Sequence, residues 1–112
     1  MAFNSVLEIV NGVAKITLSG ELDAAAAPAF RTDVEKAAAA KVKAVALLMK
    51  DLEYMASAGL RALVFAKQKM GAQTEIYMIG LQESVMETIE MTGFQNSVTF
   101  LDSYDAAKVE GA

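Results

Sequence analysis

Lys50-Asp51-Leu52-Glu53-Tyr54-Met55-Ala56-Ser57-Ala58-Gly59-Leu60-Arg61 is the stretch whose reading decides the fold. Before it runs the apolar segment Val45-Ala46-Leu47-Leu48-Met49, and after it comes a helical pattern from Ala58 to Met70. One serine, Ser57, therefore stands where a strand hands over to a helix, with small residues on either side. The first turn of a helix exposes unpaired backbone N–H groups and the positive end of the dipole, which suit a hydroxyl cap or a phosphate. Taken alone, Ser57 can be a structural N-cap, a nucleophile, or an acceptor of phosphate.

Working outward, Val6 to Val10 and Val13 to Ser19 read as two strands joined by Asn11-Gly12, a strong two-residue hairpin signal. Gly20-Glu21-Leu22-Asp23 breaks the alternation. A helix is expected to start near Ala26 or Ala27, with Pro28 in its first turn, and to reach about Ala40. Lys43 to Met49 is more apolar than alternating, which suits a central strand covered on both faces. The next helix places Leu60, Leu63 and Val64 on its buried face and leaves Arg61 and Lys67 in water, with Gly71 as its stop. Thr74 to Ile79 is a further strand. Leu81, Val85 and Ile89 recur at helical spacing up to Gly93. Val98 to Leu101 and a last helix from about Ser103 complete an α/β pattern, opened by an antiparallel hairpin and otherwise built on crossovers. Tyr54, Met55 and Phe94 are expected in the core.

A chain of 112 residues, 54% apolar and 21% charged, makes one domain, 1–112, with room for a sizeable core. A net charge of −4 without any cluster of Lys or Arg speaks against nucleic acid as a partner. No apolar run approaches the ~18 residues of a membrane span, and the first residues lack the form of a signal peptide, so a cytoplasmic domain without a membrane partner is expected. The sequence has no histidine and no cysteine. That removes Ser-His-Asp and Cys-His activation, thiolate chemistry and the usual zinc ligands, so neither an enzyme nor a cofactor or metal site is expected.

Two separate motifs carry a resemblance. Leu18-Ser19-Gly20-Glu21-Leu22-Asp23 resembles the strand-end Gly-Glu-Leu-Asp of the STAS domain, the fold of the anti-sigma factor antagonists. Asp51 to Leu60 resembles that family's Asp-Leu-x-x-hydrophobic-Asp-Ser-Ser/Thr-Gly-Leu loop. Met91-Thr92-Gly93-Phe94 adds a weaker match to a Ser-Gly-hydrophobic step at a helix end. The likeness spans about residues 6–108 and implies a single STAS-like domain: a mixed sheet of four to five strands, opened by the hairpin, with about four helices.

The resemblance implies a function as well. The serine of that loop is the family's phosphoacceptor, and here it is Ser57. The unphosphorylated protein is expected to bind an anti-sigma factor that is also a serine kinase. Phosphorylation releases it, and a metal-dependent serine phosphatase restores the binding form. Glu21, Asp23, Ala56, Ala58, Gly59, Leu60 and Arg61 are the expected partner-binding residues. The chain departs from the family at Ala56, where an acid is usual, and at Ala58, where Ser or Thr is usual. Other readings are a STAS domain that is never modified, such as an accessory subunit of a transporter, and a small domain that uses the helix start at Ser57 as an anion site.

Overall fold

Nothing in Gly20 to Leu22 or Lys50 to Met55 alternates cleanly, yet both stretches are strand in the structure. It is a computed structural model and describes residues 3–71 and 74–110. The strands are β1 (Asn4–Val10), β2 (Val13–Leu22), β3 (Ala44–Met55), β4 (Glu75–Ile79) and β5 (Thr99–Leu101). The helices are α1 (Ala27–Ala39), α2 (Ser57–Met70), α3 (Glu83–Glu90) and α4 (Ala106–Val109), and a 3-10 turn covers Phe94–Ser97.

The strands lie in the order in which they occur in the chain. β1 and β2 are antiparallel, joined by the expected turn, in which both Asn11 and Gly12 have positive φ. Every later pairing is parallel. Three crossovers thus advance the sheet in one direction, and a constant hand of connection puts α1, α2 and α3 on one face. There Leu18, Leu22, Phe30, Val34, Leu63 and Ile89 share one core. On the other face α4 sets Val109 against Val13, Ala44, Ala46 and Tyr77. β3 is covered on both sides, as its apolar run predicts.

Two register shifts between β2 and β3 explain the broken alternation. Thr17 faces Leu48 but Ser19 faces Asp51, and Gly20 faces Leu52 but Glu21 faces Tyr54. At each shift β3 holds one residue more than β2, as a β-bulge does. Met49, Leu52 and Met55 are consequently buried at intervals of three, with two exposed residues between each pair. Gly20, at φ +84°, sits beside the second shift, in a conformation that costs a residue with a Cβ.

The helix bounds also differ from expectation in places. α1 begins at Ala27, as Pro28 suggests. α3 starts two residues after Leu81, which precedes the cap position Gln82. α4 is shorter than Ser103 onward because Asp105 ends the preceding loop by accepting from the N–H groups of Ala107 and Lys108. In α2 the buried residues are Gly59, Leu60, Ala62, Leu63 and Ala66. Val64 does not join them: it is 37% exposed, because the helix is rotated so that Ala62 and Ala66 take the buried positions in its place. Lys67, expected in water, is half-buried, and its Nζ donates to the Thr74 carbonyl at 3.0 Å.

The C-terminal segment is tied to the hairpin. The Glu110 carboxylate accepts from Asn11 Nδ2 at 2.6 Å and from the Tyr104 hydroxyl. Burial first, then this hydrogen bond, pushes the Tyr104 hydroxyl up to about 12. The same bond, then that from Asn11, holds the Glu110 carboxyl below its ordinary range.

Candidate functional site

The two sequence motifs meet in space. Leu22, last residue of β2, pairs with Met55, last residue of β3. Immediately after that pair the Ala56 N–H donates to the Leu22 carbonyl at 2.8 Å. The chain then turns into α2, with Ala56 as the cap position and extended backbone there. The Gly59 and Leu60 N–H groups return to the Ala56 carbonyl at 3.0 and 3.2 Å.

Gly59 is what lets this junction close. A Cβ built on it would stand 2.7 Å from Leu22 Cγ and 3.3 Å from Met55 Cγ, well inside van der Waals contact. The glycine of one motif is therefore the seat for the leucine of the other. Gly59→Ala should destabilise the domain by ~1–3 kcal/mol, as overpacking does, by pushing α2 off the end of β2. Urea unfolding checks this, and a loss below ~0.3 kcal/mol would show that the junction has room to spare.

Ser57 is the first residue of α2 and is exposed. It is not the N-cap. That place belongs to Ala56, and no side chain caps the helix. The Ser57 hydroxyl is thus not committed to the backbone of its own helix, and its neighbour is Arg61, whose Nη2 lies 3.5 Å from Oγ. Ala56 and Ala58 are half-buried beside it, and Leu60 is buried in the core. Asp23 lies in the loop before α1, where its Oδ1 accepts from the Ala26 N–H at 2.9 Å and its carbonyl accepts from Ala27 at 3.0 Å. These bonds shape the turn that leads into α1. Glu21 is exposed near the end of β2, opposite Tyr54.

Other residues of this corner were not singled out from the sequence. A cleft of about 360 Å³ runs between α1 and α2, with Ala27, Pro28, Arg31, Ala58, Arg61 and Phe65 among its walls. The Arg31 guanidinium stacks 4.0 Å over the Phe65 ring and its Nε lies 3.5 Å from Glu35. Val64 continues the exposed stripe of Ser57 and Arg61 along α2. Tyr54, expected in the core, is 47% exposed because it lies among the exposed residues that the β3 bulges create. Met55 and Phe94 are buried as expected. The helical spacing of Ser57, Arg61 and Val64 was a signal for the stripe; nothing local to α1 pointed Arg31 at α2.

Among the described residues no group of three or more acidic, histidine or cysteine side chains could hold a metal ion, and no helix is long and apolar enough to cross a membrane. The model of one family, the STAS domain, matches residues 4–107. The chain belongs to the STAS domain family. Among solved structures, this STAS domain is similar to an anti-sigma factor antagonist from Mycobacterium paratuberculosis, with a TM-score of 0.85 and 23% identity over 96% of this chain and 92% of that one. It is similar to the unphosphorylated anti-sigma factor antagonist SpoIIAA, with a TM-score of 0.73 and 19% identity over 88% and 87%. The phosphorylated form of SpoIIAA, a Bacillus cell fate determinant, gives 0.66 and 18% over 88% and 90%. At these identities the likeness is one of fold. No curated protein sequence matches the STAS domain significantly.

Proposed function

We propose that this STAS domain is an anti-sigma factor antagonist whose partner binding is switched by phosphate on Ser57. The observation that carries the reading is the exposed Ser57 hydroxyl in the first turn of α2. It stands on a surface of small residues, at the junction of the two motifs that resemble the antagonists. The structural neighbours described as antagonists, and the two phosphorylation states of SpoIIAA, support it.

In this reading the unphosphorylated domain binds an anti-sigma factor that is also a serine kinase. Glu21, Asp23, Ala56, Ala58, Gly59, Leu60 and Arg61 form the junction on which that partner rests. Ala56 and Ala58 carry so little side chain that a partner can approach the backbone around Ser57 closely, while Gly59 and Leu60 seat that surface from below. The kinase transfers the γ-phosphoryl group of ATP: the Ser57 Oγ–P bond forms, the bond between the β- and γ-phosphates breaks, the hydroxyl proton passes to a base of the kinase, and ADP leaves. A metal-dependent serine phosphatase hydrolyses the ester and restores the hydroxyl. The domain is substrate and ligand in this cycle, acts in the cytoplasm in bacterial transcription control, and needs no cofactor of its own.

Incubation with the partner kinase and ATP, followed by mass spectrometry of the tryptic peptides, tests the assignment. Phosphate is expected on Ser57 and on none of Ser5, Ser19, Ser84, Ser97 and Ser103. Stoichiometric phosphate on one of those, with Ser57 unmodified, would overturn it, and absence of any label would favour an unmodified STAS domain. Ser57→Ala should abolish labelling with little change in stability, since Ser57 caps nothing.

A further inference from the structure

Arg61 is the charged side chain beside the Ser57 hydroxyl. A separation of 3.5 Å is beyond the range of a strong hydrogen bond to oxygen. A phosphoryl oxygen stands two bonds further out than Oγ, through phosphorus, within reach of the Arg61 guanidinium. Arg61 lies one helical turn after Ser57, so its guanidinium reaches back over the same face of α2. A second guanidinium, that of Arg31, enters the same cleft from α1. It is stacked on Phe65 and paired with Glu35, but that pair is an exposed i,i+4 contact of the kind that water and salt weaken readily. Two arginines thus converge on one corner of a chain whose net charge is −4.

We propose that the cleft between α1 and α2 is a phosphate cradle acting in cis. The dianion on Ser57 takes a forked pair of hydrogen bonds from Arg61 and draws in Arg31 from the opposite wall, the geometry in which guanidinium binds phosphate best. The proposal rests on the reading of Ser57 as the modified residue, and it adds what the modification does. The phosphate is held by the domain itself, and Arg61 is withdrawn from the surface offered to a partner. Phosphorylation then changes the site twice, by adding bulk at Ser57 and by removing a cation next to it.

Phosphoserine placed at position 57 by genetic code expansion tests the cradle without any kinase. The probe is the second ionisation of that phosphate, followed by 31P NMR. The charged groups around it are Arg61 on α2, Arg31 and Glu35 on α1, Asp23 before α1, and Glu21 and Glu53 near the strand ends. A free phosphoserine has its second pKa at about 6. Held by the cradle, it should fall by about one unit, because nearby cations favour the dianion. R61Q should return it most of the way to 6, R31Q part of the way, and R61K should keep more of the shift than R61Q. Thermal melts of the unphosphorylated variants control for folding. A pKa of about 6 in the otherwise unaltered protein, unmoved by R61Q, would overturn the cradle even if a kinase labels Ser57. A lowered pKa that R61Q restores would establish the cradle even if Ser57 were never a kinase substrate, in which case the switch alone would fail.

Discussion

Leu63→Ala should cost the domain ~2–5 kcal/mol, while Val64→Ala, one residue on, should cost less than ~0.5 kcal/mol. Leu63 is 1% exposed and belongs to the core that α1, α2 and α3 share against the sheet. Removing its isobutyl group loses the transfer energy of the buried atoms and leaves a cavity that closely packed neighbours can close only in part. Val64 lies about 100° further round the helix, on the exposed stripe that carries Ser57 and Arg61. Urea unfolding of the two variants measures the rotation of α2 directly. A small loss at Leu63 with a large one at Val64 would mean that the helix turns its other side to the sheet, and Ser57 would then not face solvent as described.

That rotation is also where the sequence was least legible. Leu60, Leu63 and Val64 are all apolar and fall within a little over one turn, so hydrophobic spacing admits either of two rotations. The structure chooses the one that buries Ala62 and Ala66 with Leu60 and Leu63 and leaves Val64 exposed. The strand ends were hidden for a different reason. A strand is read from a period of two, and the bulges in β3 convert it to a period of three at Met49, Leu52 and Met55. What survived such local disturbances was long apolar or alternating runs and turn chemistry: the Asn11-Gly12 hairpin, the doubly covered start of β3, and the order of helices between strands.

The candidate site was legible in its parts and not in its assembly. The Gly-Glu-Leu-Asp and Ser-Ala-Gly-Leu segments could each be quoted from the sequence, but only the fold shows Leu22 resting on Gly59. Ser57 could be placed at the start of α2 from small-residue spacing, though not one position inside it, because the distinction between cap and first helical residue depends on the backbone angles of Ala56. Arg31 was beyond reach, since a contact between α1 and α2 spans thirty positions of Arg31 and Arg61 and leaves no local pattern.

Phosphate on Ser57 should weaken binding of the anti-sigma kinase by several hundred-fold or more. The hydroxyl is exposed on a surface flanked by Ala56 and Ala58, where a partner must pack closely to bury anything. A phosphoryl group there adds −1.5 to −2 charges at neutral pH, by the usual phosphoserine ionisation, and bulk that closely packed surfaces cannot absorb. With Arg61 drawn to the phosphate, the partner group that Arg61 would meet is left uncompensated at the interface, which costs ~3–5 kcal/mol, and each 1.4 kcal/mol is about a factor of ten in affinity. Ser57→Ala adds neither charge nor bulk and removes no helix cap, so it should bind like the unmodified domain whether or not ATP is present. Ser57→Asp should fall between the two, its carboxylate being smaller and less charged than phosphate. Titration calorimetry of the unmodified, alanine and phosphorylated forms against the purified kinase measures this directly. The account predicts equal, tight binding for the first two and several hundred-fold weaker binding for the third; equal affinity for all three would contradict it.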